Sequence, residues 1–124
     1  MSLIAARERA LEIAERLRAM GPIEINRFFG GAGLRKDGVQ FGFVIEGALY
    51  LKTDDVSRPA LQALGAKPFA YATRAKTVQV TSYYETPDEI MDDEDALRRW
   101  AEDALRAAKS ARPAPRRKPG SRRA

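Results

Sequence analysis

The tightest constraint on this chain is how little room it leaves for turning. From Ile23 the apolar period changes to two, and turn signals follow at the glycines after Phe29, at Lys36-Asp37-Gly38 and at Glu46-Gly47. Asp-Gly is a strong hairpin signal. A connection this short joins antiparallel neighbours, because a parallel pair needs a crossover of about a dozen residues. "IEINRFF" sets Ile23, Ile25 and Phe28 against Glu24, Asn26 and Arg27, while Glu46-Gly47 turns the chain between Phe41–Ile45 and Ala48–Lys52. Three or four antiparallel strands in meander order are expected, and three are taken here.

Helical periodicity frames this block. In residues 2–20, Leu3, Ala6, Ala10, Ile13, Ala14 and Leu17 form one apolar stripe, with Ser2 as N-cap and Gly21-Pro22 as the stop. "SRPALQALG" reads as a short helix capped by Ser57, with Pro59 in its first turn, and ended by Gly65. "PFAYAT" and "KTVQVTSYY" form a second hairpin across Arg74-Ala75. "TPDE" (Thr86 to Glu89) has the capping-box form. "DDED" (Asp92 to Asp95) opens a long helix to about Ser110, whose stripe is Leu97, Trp100, Ala101, Ala104, Leu105 and Ala108. The expected fold is a two-layer α+β sandwich, α-β(3)-α-β(2)-α, with the helices packed on one face of an antiparallel sheet.

The chain has 124 residues, no Cys and no His. Disulfides, Cys- or His-ligated zinc, thiol nucleophiles and His acid/base pairs are therefore excluded. An enzyme would have to work with carboxylates, Lys, Tyr or Ser. The N-terminus carries acids and lacks an apolar signal core, and no apolar run reaches membrane length, so a cytoplasmic protein is expected. The net charge of +5 resides in the last fourteen residues, which hold Arg112, Arg116, Arg117, Lys118, Arg122 and Arg123 and no acid. Removing those six cations leaves 16 Lys+Arg against 17 Asp+Glu in residues 1–110, a body near −1. A folded domain, 1–110, and a disordered basic tail, 111–124, are therefore expected.

Four features are candidates for chemistry. Gly30-Gly31-Ala32-Gly33 superficially suggests a phosphate loop, but no helix follows it, as a dinucleotide fingerprint requires. A bulge or tight bend, or an anion nest, are the readings left. Asp54-Asp55 and Asp92 to Asp95 precede helices, where carboxylates serve as caps. Tyr50, Tyr71, Tyr83 and Tyr84 with Lys52 and Lys76 suggest a mixed aromatic and basic sheet face, suited to packing or to base stacking. The six tail cations attract nucleic acid through counterion release or act only as a solubilising extension.

Five blocks in register, "NRFFGGAGLRKDG", "LYLKTD", "LGAKPFAY", "SYYETP" and "ALRRWAEDAL", resemble the N-terminal domain of the TfoX/Sxy family, named for regulating DNA transformation (competence). The likeness runs from about Ile4 to Ala108. It rests on Arg27, Phe29, Gly30, Gly31, Gly33, Leu34, Asp37, Gly38, Leu49, Tyr50, Leu51, Lys52, Asp54, Gly65, Pro68, Phe69, Tyr71, Ser82, Tyr83, Tyr84 and Pro87, with Trp100 in the last block. Phe28 and Thr81 stand where the family commonly has Met, and Arg35 where it often has Tyr. The resemblance implies the same α-β-β-β-α-β-β-α order and brings no catalytic residues, metal or cofactor. It further implies a regulatory role through a protein partner, the transcription machinery or a regulator such as the cyclic-AMP receptor protein.

Overall fold

The computed structural model describes residues 3–111. Helix α1 (Leu3–Arg16) and a 3-10 turn (Arg18–Met20) lead into four strands, β1 (Glu24–Phe28), β2 (Gly31–Lys36), β3 (Val39–Ile45) and β4 (Ala48–Lys52). Helix α2 (Ser57–Ala63), β5 (Pro68–Ala72), β6 (Thr77–Glu85), α3 (Asp88–Met91) and α4 (Glu94–Ser110) follow. The strands make one antiparallel sheet in the order β1-β2-β3-β4-β6-β5. The fold class is α+β as expected, but the meander has four strands and not three. The expected N-cap at Ser2 and the tail cations Arg112, Arg116, Arg117, Lys118, Arg122 and Arg123 lie outside the described residues.

The extra strand comes from a turn that the sequence disguises. Phe29-Gly30, Asp37-Gly38 and Glu46-Gly47 are three two-residue loops of one kind, each with positive φ at both residues: 49° and 77°, 54° and 81°, 52° and 83°. This is the type I′ hairpin turn, which matches the right-handed twist of its strands. Asp at the first position is ordinary. A bulky Phe there is an outlier, so the glycines after Phe29 mark a bend in the sequence without revealing that Phe29 is the first residue of its turn.

Two-residue loops fix the register, and the register sorts the side chains. Ile25, Leu34, Gly42, Leu51 and Tyr84 form one row across five strands. That row faces the helices and packs with Ala10, Ile13, Leu17, Leu97, Ala101 and Ala104. The neighbouring row, Asn26, Gly33, Phe43, Tyr50 and Glu85, faces away. β3 departs from strict alternation because Leu34 pairs with Gly42 while Arg35 pairs with Gln40. Phe41 is thus the extra residue of a bulge, which puts Val39, Phe41 and Val44 all in the helix-side core.

The caps differ in detail from expectation. Asp54 caps α2: its Oδ1 accepts from the Val56 and Ser57 amides at 3.0 and 2.8 Å, while Ser57 Oγ accepts from the Asp54 amide at 3.0 Å. Ser57 is the reciprocal partner and not the cap itself. The box at Thr86 does not form, because Pro87 takes the N-cap position of α3 without a side-chain bond. The Thr86 amide is instead donated to Leu49 O at 2.8 Å, and its hydroxyl is buried without a partner. Asp93 caps α4, accepting from the Asp95 and Ala96 amides.

Hydrogen bonding from the Ser57 backbone, ahead of the Val56 amide, holds the Asp54 carboxyl below its ordinary value of 3.8, against some opposition from burial. A carboxyl lowered in the folded state stabilises above its unfolded pKa, and that contribution disappears as pH falls through the folded value. Asp54→Asn retains a capping oxygen but cannot titrate. Urea unfolding between pH 6 and 2 should show a shallower acid-side loss for this variant than for the parent. Identical slopes would remove Asp54 from the acid response.

Candidate functional site: an aromatic face with an open groove

The face turned away from the helices holds a second, aromatic core. Phe43 is 1% exposed and Phe69 6%, yet neither belongs to the helix-side cluster. Around Phe43 the rings of Phe28, Tyr83, Phe69 and Tyr50 lie at centroid distances of 4.6, 4.8, 5.0 and 5.2 Å. Phe69 also meets Tyr50 edge-on at 5.1 Å. Phe69 sits three strands from β3, about 14 Å away in a flat sheet, so these distances require the β5–β6 hairpin to curl over the face. The register shows how it curls. Pro68 pairs with Tyr84 but Phe69 with Val80, so Thr81, Ser82 and Tyr83 have no partner on β5. They are held from the other side, where Thr53 donates to Ser82 O and Thr81 O and Arg58 Nε to Thr81 O.

The curl leaves a groove of about 530 Å³ between β5 and the tips of the β1–β2 and β3–β4 hairpins. Phe29, Tyr50, Phe69 and Tyr71 line it with Ile45 and Glu46. Phe29 is 74% exposed and Tyr71 43%, with their rings 6.3 Å apart across the rim. Farther along the same face Lys52 Nζ stands over the Tyr83 ring at 5.1 Å from its centroid, a cation–π distance.

Burial first, then the negative charges of Glu85 and Glu46, pushes the Tyr50 hydroxyl up. Burial likewise raises Tyr83, whose hydroxyl donates to Gln40 O at 3.4 Å. Both phenols are thus moved further from the near-neutral pKa that serves a general base. Burial, followed by repulsion from Arg58, lowers Lys52. Among the described residues no group of three or more His, Cys, Asp or Glu could hold a metal ion, and no helix is long and apolar enough to cross a membrane.

The structure brings together Phe29, Tyr50, Lys52, Phe69, Tyr71 and Tyr83. Tyr84 does not join them: adjacent to Tyr83 on β6, it points to the helix side, where its hydroxyl accepts from Gln62 Nε2 at 2.9 Å. Lys76 is exposed in the β5–β6 turn, beyond the aromatic cluster. The remaining motif residues are architectural. Gly30 turns the chain, while a Cβ on Gly31 or Gly33 would collide with Val44 O or with the Gln40 and Asn26 side chains. Asp37-Gly38 is a hairpin tip, and Asp37 accepts from Lys109 Nζ at 2.8 Å, tying that tip to the end of α4. Gly65 closes α2 with Gly65 N bonded to Gln62 O and Ala66 N to Leu61 O, the Schellman pattern. Pro68 starts β5, Pro87 precedes α3, Trp100 packs partly buried on the helix-side core, and Arg27 is exposed on edge strand β1. No helix begins at Gly30–Gly33, where β2 runs directly into the sheet.

Sequence reading missed Phe28, Phe43, Ile45 and Glu46. A two-residue loop at Glu46-Gly47 places Ile45 opposite Ala48, hence Phe43 opposite Tyr50, so register counting could have found Phe43. The curl of β5 left no such signal. None of the curated proteins matches the chain at a significant level. The family model described as the TfoX N-terminal domain matches residues 15–108, spanning the sheet and most of α4, and the chain belongs to that family.

Proposed function

We propose that this chain is a non-enzymatic regulatory or adaptor domain of the TfoX family, acting in the cytoplasm through protein contacts in transcription regulation. The observation that carries the reading is the aromatic groove, with Phe29 and Tyr71 held out to solvent above a packed ring cluster. Exposed aromatics over a rigid base are what protein interfaces use as anchors. The groove's ionisable groups form no proton-transfer pair, and family membership supports a regulatory domain. By resemblance, the partner is the transcription machinery or a regulator such as the cyclic-AMP receptor protein, and competence genes are the targets. The test is a transcript profile of cells lacking the protein, restored with the parent chain or with Tyr71→Ala. Restoration by the parent and not by a folded Tyr71→Ala chain is expected. A turnover reaction lost on changing Tyr50 or Lys52 would overturn the reading.

A second reading is carried by the six cations and absent acids of residues 111–124. In it the segment anchors the protein on nucleic acid without reading sequence. If every cation meets a phosphate, log K against log salt should slope at about −5, from about −0.9 per contact. DNA affinity unchanged on deleting residues 111–124 would end this reading.

A further inference from the structure

The two edges of the sheet are built differently. β1, "EINRF", carries Glu24 and Arg27, both exposed, and has α1 beside it. Charges on an edge strand discourage a further strand from adding. β5, "PFAYA", has no charge, and only its first residue is proline. The turn bond from Thr73 N to Lys76 O and the pairs that follow set the parity of the hairpin. Tyr71–Val78 and Phe69–Val80 are then the hydrogen-bonded pairs. The N–H and C=O groups of Ala70 and Ala72 consequently point away from β6, along the groove that both residues line.

Two further observations describe what would lie there. Phe29 is held at φ 49°, a conformation that Asn or Gly adopts with less strain in this turn, and its ring is spent on solvent at the groove rim. Backbone strain at an exposed aromatic points to a contact surface. The groove is also one-sided in charge. Its lining contains Glu46 and no cation, Glu85 stands opposite Tyr50, and among the described residues neither carboxylate has a cation within ion-pair distance. On that face Lys52 stands over the Tyr83 ring, and Lys67, whose carbonyl accepts from the Glu85 amide, makes no ion pair with Glu85.

We propose that the free edge of β5 takes an extended basic peptide from a partner protein as a seventh strand, with an Arg or Lys side chain entering the aromatic groove toward Glu46. Strand addition supplies main-chain hydrogen bonds, and a pocket for alternate side chains supplies the choice of sequence. The aliphatic stem of the cation lies along Phe29 and Tyr71, and its head reaches the carboxylate. The inference rests on reading the domain as a protein-contact module and names the class of partner.

The experiment titrates the full chain with a blocked octapeptide of alternating arginine and threonine, beside a glutamate–threonine version, followed by amide spectra and hydrogen exchange. Binding of the arginine peptide alone is expected, with slowed exchange at Ala70 and Ala72. Ala70→Pro removes one outward donor and no ladder bond. Phe29→Asn removes the ring while keeping a favoured turn residue. Each should weaken binding about tenfold or more, the scale of one lost hydrogen bond or anchor, in chains whose spectra remain folded.

The proposal is overturned if neither peptide binds, if both bind equally, or if either folded variant binds as the parent does. It is also overturned if β5 is already filled. Filling by a second copy would appear as a dimer mass lost in Ala70→Pro, and filling by residues 112–124 as altered Ala70 and Ala72 amides on their removal. The regulatory reading fails separately. A transcript response that survives in Ala70→Pro cells refutes only the strand-addition site, whereas peptide binding without any transcript response refutes only the regulatory role.

Discussion

Gly31→Ala is expected to be the most damaging single methyl group in the protein. A Cβ built on Gly31 lies 2.0 Å from Val44 O and 2.8 Å from Ile45 Cγ1. The nearest atom is backbone in the middle of the sheet, so no rotamer change relieves the clash. Relief would require parting β2 from β3, which breaks the ladder that also positions Ala32 and Leu34 in the core. A loss of about 3 kcal/mol or more follows, at the upper end for overpacking. That is a large share of the ~5–15 kcal/mol a domain has. Gly30→Ala is the control. Nothing lies within 4 Å of its Cβ position, so only the strain of an L-residue at φ 77° remains, about 1–2 kcal/mol. Urea unfolding of both variants decides the matter. If Gly30→Ala proves the worse, the glycines matter for conformational freedom and not for close approach.

Phe43→Ala should cost about 3–5 kcal/mol, the range for a buried Phe. The residue is on the face away from the helices, where a half-wet sheet would place a replaceable side chain. Four rings within 5.2 Å of its centroid and its 1% exposure argue otherwise. Truncation would also remove the surface against which Phe69 packs. Exchange in the β5–β6 hairpin should then accelerate more than in α1 or α4. A loss under about 1 kcal/mol, the size typical of surface changes, would show that the aromatic face is an ornament of the sheet and not a second core. Together the two variants separate the backbone reason for the glycines from the side-chain reason for the phenylalanines.

Much of this architecture was legible in the sequence because it depends on short-range chemistry. Asp37-Gly38 and Glu46-Gly47 announce hairpins, Leu97, Ala101 and Ala104 mark the buried side of α4, and Gly65 marks a helix end, each through a local conformational requirement. The pleat alone separates Tyr50 and Lys52 from Leu49 and Leu51. Local rules failed where a distant partner overrode them. Phe29 occupies a turn position that propensity denies it, Thr86 gives its amide to Leu49 instead of forming a capping box, and Phe41 is displaced into a bulge. The groove was beyond sequence reading altogether. It exists because three residues of β6 lack partners on β5, which lets Phe69 fold over Phe43 across three strands. Alternation tells which face a side chain takes. Only the curvature of the whole sheet decides whether that face meets solvent or another strand.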